Sequence, residues 1–403
     1  MQRTLVLFFL VLSTAAAQNG ESIISRFGIG DLDQQLTSRQ RGMGGVAASL
    51  TSTYDVSSSN PASWTGVGGL RLQGGLLYEF ESYSKNSRLS TGSMSIKALH
   101  FSLPLEESMH ARLVAGFVPV SRVGYQVRGT GSVNGESYRV DYLGRGGVSS
   151  FTVGAAIQPL PALSLGAMYR FLFGTIDREQ QLVFDNGTTF GTKQWSTTSH
   201  NGSAFTVGAI VTGPGDATLG FTVAPAASLA ATRDYTYRYS TNDSTVSGES
   251  GTQDIPLRYT VGVSSPLGKR FLVAAEYTAQ DWSGATVFNT MPGELTASYR
   301  IGAGVEWRPS DDNASVAAAA KAMMFRLGFY QQKGYVALNG EEQKETFITI
   351  GAGLPILGMN RADASFELGW RGASEQILGS RLLVRFAVTV SVGESWFVRK
   401  DAD

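Results

Sequence analysis

The chain of 403 residues contains no cysteine. That excludes thiol catalysis, disulfides, cysteine-ligated zinc or iron–sulfur centres, and the lipidated cysteine of a bacterial lipoprotein anchor. Histidine is scarce too: His100, His110 and His200 lie in different segments with no metal-ligand spacing, so no metal is expected. No Gly-x-Ser-x-Gly elbow occurs, and His200 with Asn201 and Ser203 falls in a predicted loop, so the chain does not read as an enzyme and no cofactor is expected. The 33 basic residues balance the 33 acidic ones, which leaves no electrostatic footprint for nucleic acid. With 16% charged residues, a mean hydropathy of −0.03 and no helix-spanning apolar run after the N-terminus, the chain is too polar for a bundle of membrane helices.

What is present begins with a secretory leader. Arg3 supplies a positive end, Leu5 to Leu12 an apolar stretch too short to span a bilayer, and Ala15-Ala16-Ala17 a small-residue cleavage site before Gln18. Residues 1–17 therefore read as a signal peptide, and the mature chain as exported.

The main signal is a parity of two. In Ala297-Ser298-Tyr299-Arg300-Ile301-Gly302-Ala303-Gly304-Val305-Glu306-Trp307-Arg308 every second residue is apolar, and its neighbours are polar, charged or glycine. A strand turns successive side chains to opposite faces, so one face is apolar and the other carries Arg300, Glu306 and Arg308. Such segments centre on 70–80, 93–103, 113–127, 151–157, 163–173, 205–211, 217–223, 255–263, 271–279, 297–307, 323–329, 347–354, 364–370 and 382–392. An even set of about fourteen, after a signal peptide, fits an all-β, transmembrane antiparallel β-barrel in the outer membrane of a Gram-negative-type bacterium, with lipid outside and a polar lumen inside.

Parity separates the two faces. Leu163, Leu165, Ala167, Tyr169 and Phe171 share one side, as do Leu382, Val384, Phe386, Val388 and Val390, and these rows should touch lipid. The opposite rows carry Arg71, Glu79, Arg170, Arg258, Glu276, Arg300, Glu306, Arg326, Glu367, Arg371 and Arg385. A basic residue facing lipid at mid-depth costs roughly 2–4 kcal/mol, so their shared parity marks a lumen. Compact Pro/Gly turns, such as Gln158-Pro159-Leu160-Pro161 and Gly213-Pro214-Gly215-Asp216, should face the periplasm. Longer polar stretches, at 128–147, 175–203, 232–254 and 281–295, should be extracellular loops. Tyr78, Phe80, Tyr83, Tyr125, Tyr169, Phe171, Phe173, Tyr277, Trp282, Trp307, Trp370 and Trp396 fall near strand ends, where aromatic girdles sit.

Between Gln18 and about Gly69 the alternation is absent. Ser25-Arg26-Phe27-Gly28-Ile29-Gly30-Asp31, Arg41-Gly42-Met43-Gly44-Gly45-Val46-Ala47 and Ser59-Asn60-Pro61-Ala62 are dense in glycine and end in a helix-stopping Asn-Pro. About fifty residues without strand character are long for a tail and suit a plug inside the lumen, pinned to the wall through Asp31, Asp33, Arg39, Arg41 and Asp55. The expected division is a signal peptide at 1–17, a plug or hatch at 18–67, the barrel at 68–397 and a tail at 398–403.

Here the sequence resembles the FadL-type long-chain fatty acid transporter family. The matching features are the Gly-rich Gly44-Gly45-Val46-Ala47-Ala48, the acidic Asp55, and Asn60-Pro61-Ala62 leading into the first strand. The opening Ser25–Asp31 and the closing Ser395-Trp396-Phe397 resemble members in Bacteroidota. The resemblance implies fourteen strands, insertion by the barrel-assembly machinery, and a kink in the third strand that opens a lateral gap. Pro119, which cannot donate to a ladder, lies where the family has a proline, and with Ser121 it should border such a gap. An ordinary turn at Pro119 is the other reading.

Three functions remain open. The first is passive uptake of hydrophobic molecules such as long-chain fatty acids, with Asn60, Pro61 and Ala62 holding the hatch, Pro119 and Ser121 at the gate, and Phe27 and Ile29 as apolar contacts of plug and ligand. The second is a non-transporting barrel that partners a protein secretion apparatus of the type IX kind; a lumen without an apolar pocket would favour it. The third is an aqueous porin, against which the plug argues.

Overall fold

The computed structural model describes residues 22–84, 88–185, 191–239, 242–288, 294–308, 323–338, 340–356, 358–372 and 380–394. The expected signal peptide, the tail at 398–403 and Ser395-Trp396-Phe397 lie outside the described residues. Before the wall come β1 (Asp31–Leu32), the short helix α1 (Ser38–Gly42) and a 3-10 turn over Pro61–Gly66. Then follow β2 (Leu70–Ser84), β3 (Arg88–Glu106), β4 (Ala111–Pro119), β5 (Ser121–Val133), β6 (Glu136–Leu160), β7 (Leu163–Phe184), β8 (Thr192–Thr212) and β9 (Thr218–Ala224). The chain continues through β10 (Ala227–Tyr239), β11 (Asn242–Ile255), β12 (Arg258–Leu267), β13 (Phe271–Asp281), β14 (Glu294–Leu295) and β15 (Ala297–Trp307). The last four strands are β16 (Met324–Leu338), β17 (Glu341–Pro355), β18 (Arg361–Gly372) and β19 (Ser380–Glu394).

Paired strands are antiparallel, and β19 returns to β2 from Ser380↔Ser84 to Glu394↔Leu70, which closes the wall. β4 and β5 both pair with β6, β9 and β10 both pair with β8, and β11 and β12 share the position beyond them. Each of these pairs is one strand interrupted beside a proline, at Pro119, Pro225 or Pro256, because proline cannot continue a ladder. With the two-residue strands β1 and β14 set aside, the wall is a closed barrel of fourteen strands. Closure satisfies backbone groups that lipid cannot.

The parity rows fall as expected. Leu165, Phe171, Val273, Tyr277, Ile350, Leu382 and Phe386 are exposed, while Arg71, Glu306 and Glu367 are fully buried within the barrel. Three expectations change. The polar stretches 128–147, 175–203 and 232–254 are largely strand: β5 to β8, β10 and β11 run far past the apolar rows, in register to Val133↔Glu136, Tyr138↔Phe184 and Tyr239↔Asn242. Above lipid nothing demands alternating apolar residues, so the backbone ladder continues through Ser, Thr, Asp and Arg without the pattern that marks the lower strands. His200 accordingly lies buried in β8 and not in a loop. Tyr125 and Trp282 are buried and belong to no girdle; Trp282 packs on Tyr335 with ring centroids 4.6 Å apart.

Candidate functional site

The N-terminal segment packs against the inner face of the wall. Its first turns bond the β5 edge: Ser22 N donates to Gly124 O (2.7 Å), Asp31 and Leu32 pair with Arg122 and Ser121, and Asp33 N donates to Val120 O (2.8 Å). α1 begins with a capping box in which Thr37 and Gln40 satisfy each other's backbone N–H groups. The helix lies against β16 to β19, where Ser38 N donates to Thr389 Oγ1 (2.9 Å) and Thr349 Oγ1 to Gly42 O (3.1 Å). Gly44 follows at φ +66°; a Cβ there would strike the carbonyls of Ala303 and Phe329, so only glycine lets the segment lie this close to the wall.

Charge fixes the segment. Glu306 receives Arg39 (2.9 Å), Arg326 (2.8 Å) and Arg308 (2.7 Å). Glu367 takes Arg41 (2.9 Å) and the Tyr330 hydroxyl (2.6 Å). The N–H groups of Ala47 and Ala48 donate to Glu276 Oε2 (2.7 and 2.6 Å), whose other oxygen holds Arg300 (2.9 Å). Lys97 pairs with Asp33, and Arg385 with Glu79. Arg170 donates to Gln35 Oε1 (2.9 Å) and Ser58 O (3.1 Å), and Arg71 to Met359 O and Ser391 Oγ (both 3.0 Å). The Arg258 side chain makes no hydrogen bond or ion pair with protein among the described residues and lines a cavity beside the segment. Asp33, Arg39 and Arg41 thus meet the wall as expected. Asp55 does not: it stays within the segment, accepting from Thr37 Oγ1 (2.7 Å), and burial pushes its carboxyl above the usual range, with Asp363 adding to the effect.

Asn60, Pro61 and Ala62 meet the opposite wall, against β7 and β8. The Asn60 side chain accepts from Ala62 N (3.0 Å), capping the 3-10 turn, and donates to Ala48 O (2.6 Å). It rests on Gly208, where a Cβ would collide with its amide oxygen. Phe27 and Ile29 pack with Ile24, Trp282, Tyr335 and Val336, in a cluster between segment and wall. Lys97 escapes the parity rule. It sits at a bulge against Gly75, where exposed positions switch from Met94 and Ile96 to Leu99 and Phe101, so strict alternation fails there.

A cavity of about 240 Å³ remains beside the segment. Most of its lining residues are charged or polar, including Asp33, Glu79, Lys97, Arg258, Arg300 and Arg371, yet their aliphatic stems together with Ile24, Leu32, Leu77, Tyr335 and Val336 leave more apolar than polar surface facing it. Drug-sized ligands occupy pockets of roughly 300–1,000 Å³ that are mainly apolar. Next to the cavity, β3 pairs with β4 only from Leu99↔Phe117 to Glu106↔Ala111. Beyond Leu99 no backbone pairing joins β3 to β5 among the described residues, and Pro119, Val120 and Ser121 stand just past the point where pairing stops. Pro119 is thus the last residue of β4 and does not lie in a turn. Arg122 reaches across the break to Ser93 Oγ (3.0 Å) and on to Glu79 (3.1 Å).

A closed fourteen-stranded barrel with apolar residues outside and charge inside is a transmembrane barrel of the outer-membrane type. The sequence matches the family described as BamG over residues 1–403, and the chain belongs to that family. Its fold is similar to that of the CymD monoaromatic hydrocarbon channel, at 14% identity and a TM-score of 0.59, covering 92% of this chain and 99% of that one. A FadL homologue of Pseudomonas aeruginosa is similar at 12% identity and a TM-score of 0.62, with 91% and 99% covered. The toluene transporter TbuX of Ralstonia pickettii is similar at 16% identity and a TM-score of 0.58, with 89% and 98% covered. No curated protein matches the chain.

Proposed function

We propose that this chain is an exported FadL-type barrel that works as a protein partner in outer-membrane barrel assembly rather than as a conduit. The observation that carries this reading is the N-terminal segment held to the wall by buried ion pairs, with a cavity of only about 240 Å³, ringed by charged residues, beside it. An apolar ligand gains roughly 0.8 kcal/mol per buried methylene, but in this cavity that gain is set against the desolvation of Asp33, Glu79, Lys97, Arg258 and Arg371 around it. The Bam prefix of the family description supplies the partner class, in place of a type IX apparatus. In this reading residues 1–17 are a cleaved signal peptide, 18–67 the plug, 68–397 the barrel and 398–403 a tail, and Asn60, Pro61 and Ala62 seat the plug. Placement in a Bacteroidota-like branch rests on Ser25–Asp31 and Ser395-Trp396-Phe397 alone.

Uptake of hydrophobic molecules is the second reading, favoured by the break between β3 and β5 and by the names of the similar channels. In it Pro119 and Ser121 line a lateral exit, and Phe27 and Ile29 yield when the plug shifts. One preparation separates the two. The tagged chain is extracted from its native outer membrane in mild detergent, and its proteins and lipids are identified by mass spectrometry. Stoichiometric recovery of the assembly machinery's central barrel, with no enriched hydrophobic compound, is expected. A stoichiometric hydrophobic ligand on a lone barrel would overturn the partner reading.

A further inference from the structure

β5, β6, β7, β8, β10 and β11 continue beyond the level where the outward apolar rows end. On β7 the outward positions pass from Phe171 and Phe173 to Thr175, Asp177 and Glu179. From Asp177 to Phe184 the strand rises by about 23 Å at roughly 3.3 Å per residue. Across the barrel β13 ends at Asp281, and β16 shifts register after Lys333, where Tyr335 and Val336 turn in against the N-terminal segment, before it ends at Leu338. One side of the mouth therefore carries a standing six-stranded sheet.

The two faces of this sheet differ. Outward lie paired ions: Arg128 with Asp141 (2.6 Å), Arg145 with Asp177 (3.2 Å), Lys193 with Glu179 (2.7 Å) and Arg238 with Asp243 (2.6 Å). Inward, over the mouth, lie aromatic residues and, among the described residues, a single ion pair, Arg233 with Glu249 (2.6 Å). Tyr142 sits beneath Arg26, Tyr138 is edge-on to Phe184 (6.1 Å), and Tyr235, Tyr237 and Tyr239 form a row with ring centroids 6.0 and 6.2 Å apart. Tyr239 and Val246 are more than half exposed. An antiparallel sheet that is polar on one face and aromatic on the other normally has the second face covered.

Three features specify the cover. Above Gly124 β5 pairs only with β6, and above Gln253 β11 pairs only with β10, so both edges present unpaired backbone among the described residues. Polypeptide can complete such an edge, whereas a glycan or a lipid cannot. The chain already does this at the base, where β1 and Ser22 bond the β5 edge. Moreover Arg26, 4.6 Å over the Tyr142 ring, and Arg178, bonded to Gly28 O (3.2 Å), have no carboxylate partner among the described residues.

We propose that the inner face of this sheet, with the free β5 edge, is a docking surface for a partner polypeptide that presents an extended apolar segment carrying carboxylates. The identity of the partner as a component of the assembly machinery rests on the proposed function; the surface itself does not.

The test uses the full chain in its own membrane, with a benzophenone amino acid at Tyr237 or Tyr138 on the inner face, or at Thr236 on the outer face. Heat-modifiable migration on gels confirms that each barrel is folded, and two inner positions guard against one failing to fold. Irradiation should give a protein adduct from the inner positions and not from Thr236, and Arg26→Glu with Arg178→Glu should abolish it. Adducts with lipopolysaccharide alone, equal adducts at all three positions, or none at all would overturn the surface. If the machinery co-purifies without an inner-face adduct, the surface fails and the proposed function stands. An inner-face adduct to a protein outside that machinery keeps the surface and overturns the proposed function.

Discussion

The charges inside the barrel and those on the standing sheet are both arranged as Arg or Lys against carboxylate, yet only the first set holds the structure in place. Inside, Glu306 is fully buried, and Arg39 from the N-terminal segment and Arg326 from the wall converge on it with almost no exposure of their own. On the standing sheet, Arg145 and Asp177 are 72% and 40% exposed. Water and salt screen the exposed pair to roughly 0–1 kcal/mol. Removing one partner of a buried pair leaves an uncompensated charge and costs roughly 3–5 kcal/mol. The same chemistry thus acts as a rivet at one level and as a solvated surface at the other, and burial alone makes the difference.

Breaking the rivet is the largest expected effect. Glu306→Ala leaves Arg39 and Arg326 without their shared carboxylate, so the N-terminal segment should become open to protease and the barrel should lose about 3–5 kcal/mol in urea unfolding from detergent. Unchanged protection would show that the buried pairs hold the segment no better than the exposed ones hold the sheet. Next comes Asn60→Ala, which removes a cap on the 3-10 turn and the bond to Ala48 O. The loss should be about 1–2 kcal/mol by the same assay, with the barrel still closed on heat-modifiable gels. The smallest effect belongs to Asp177→Asn on the outward face of β7, where a change of about 0.2–1 kcal/mol should shrink as salt rises. A change from Asp177→Asn as large as that from Glu306→Ala would show that the standing sheet is riveted too.

Residue parity alone located all fourteen wall positions and sorted Arg71, Arg300, Glu306, Arg326, Glu367 and Arg385 to the inner face, because lipid on one side and charge on the other leave a period of two in every strand they touch. That legibility ended where lipid ended. The strands above Phe173 are held by backbone hydrogen bonds, which any sequence without proline can make, so 128–147, 175–203 and 232–254 carried no mark of their order. It ended also at the bulge beside Gly75, where one extra residue turned Lys97 inward to meet Asp33. Which carboxylate each arginine takes, the charged character of the cavity, and the aromatic face over the mouth came only with tertiary structure. They depend on which strands stand opposite one another across the lumen, and a period of two carries no information about distance across a barrel.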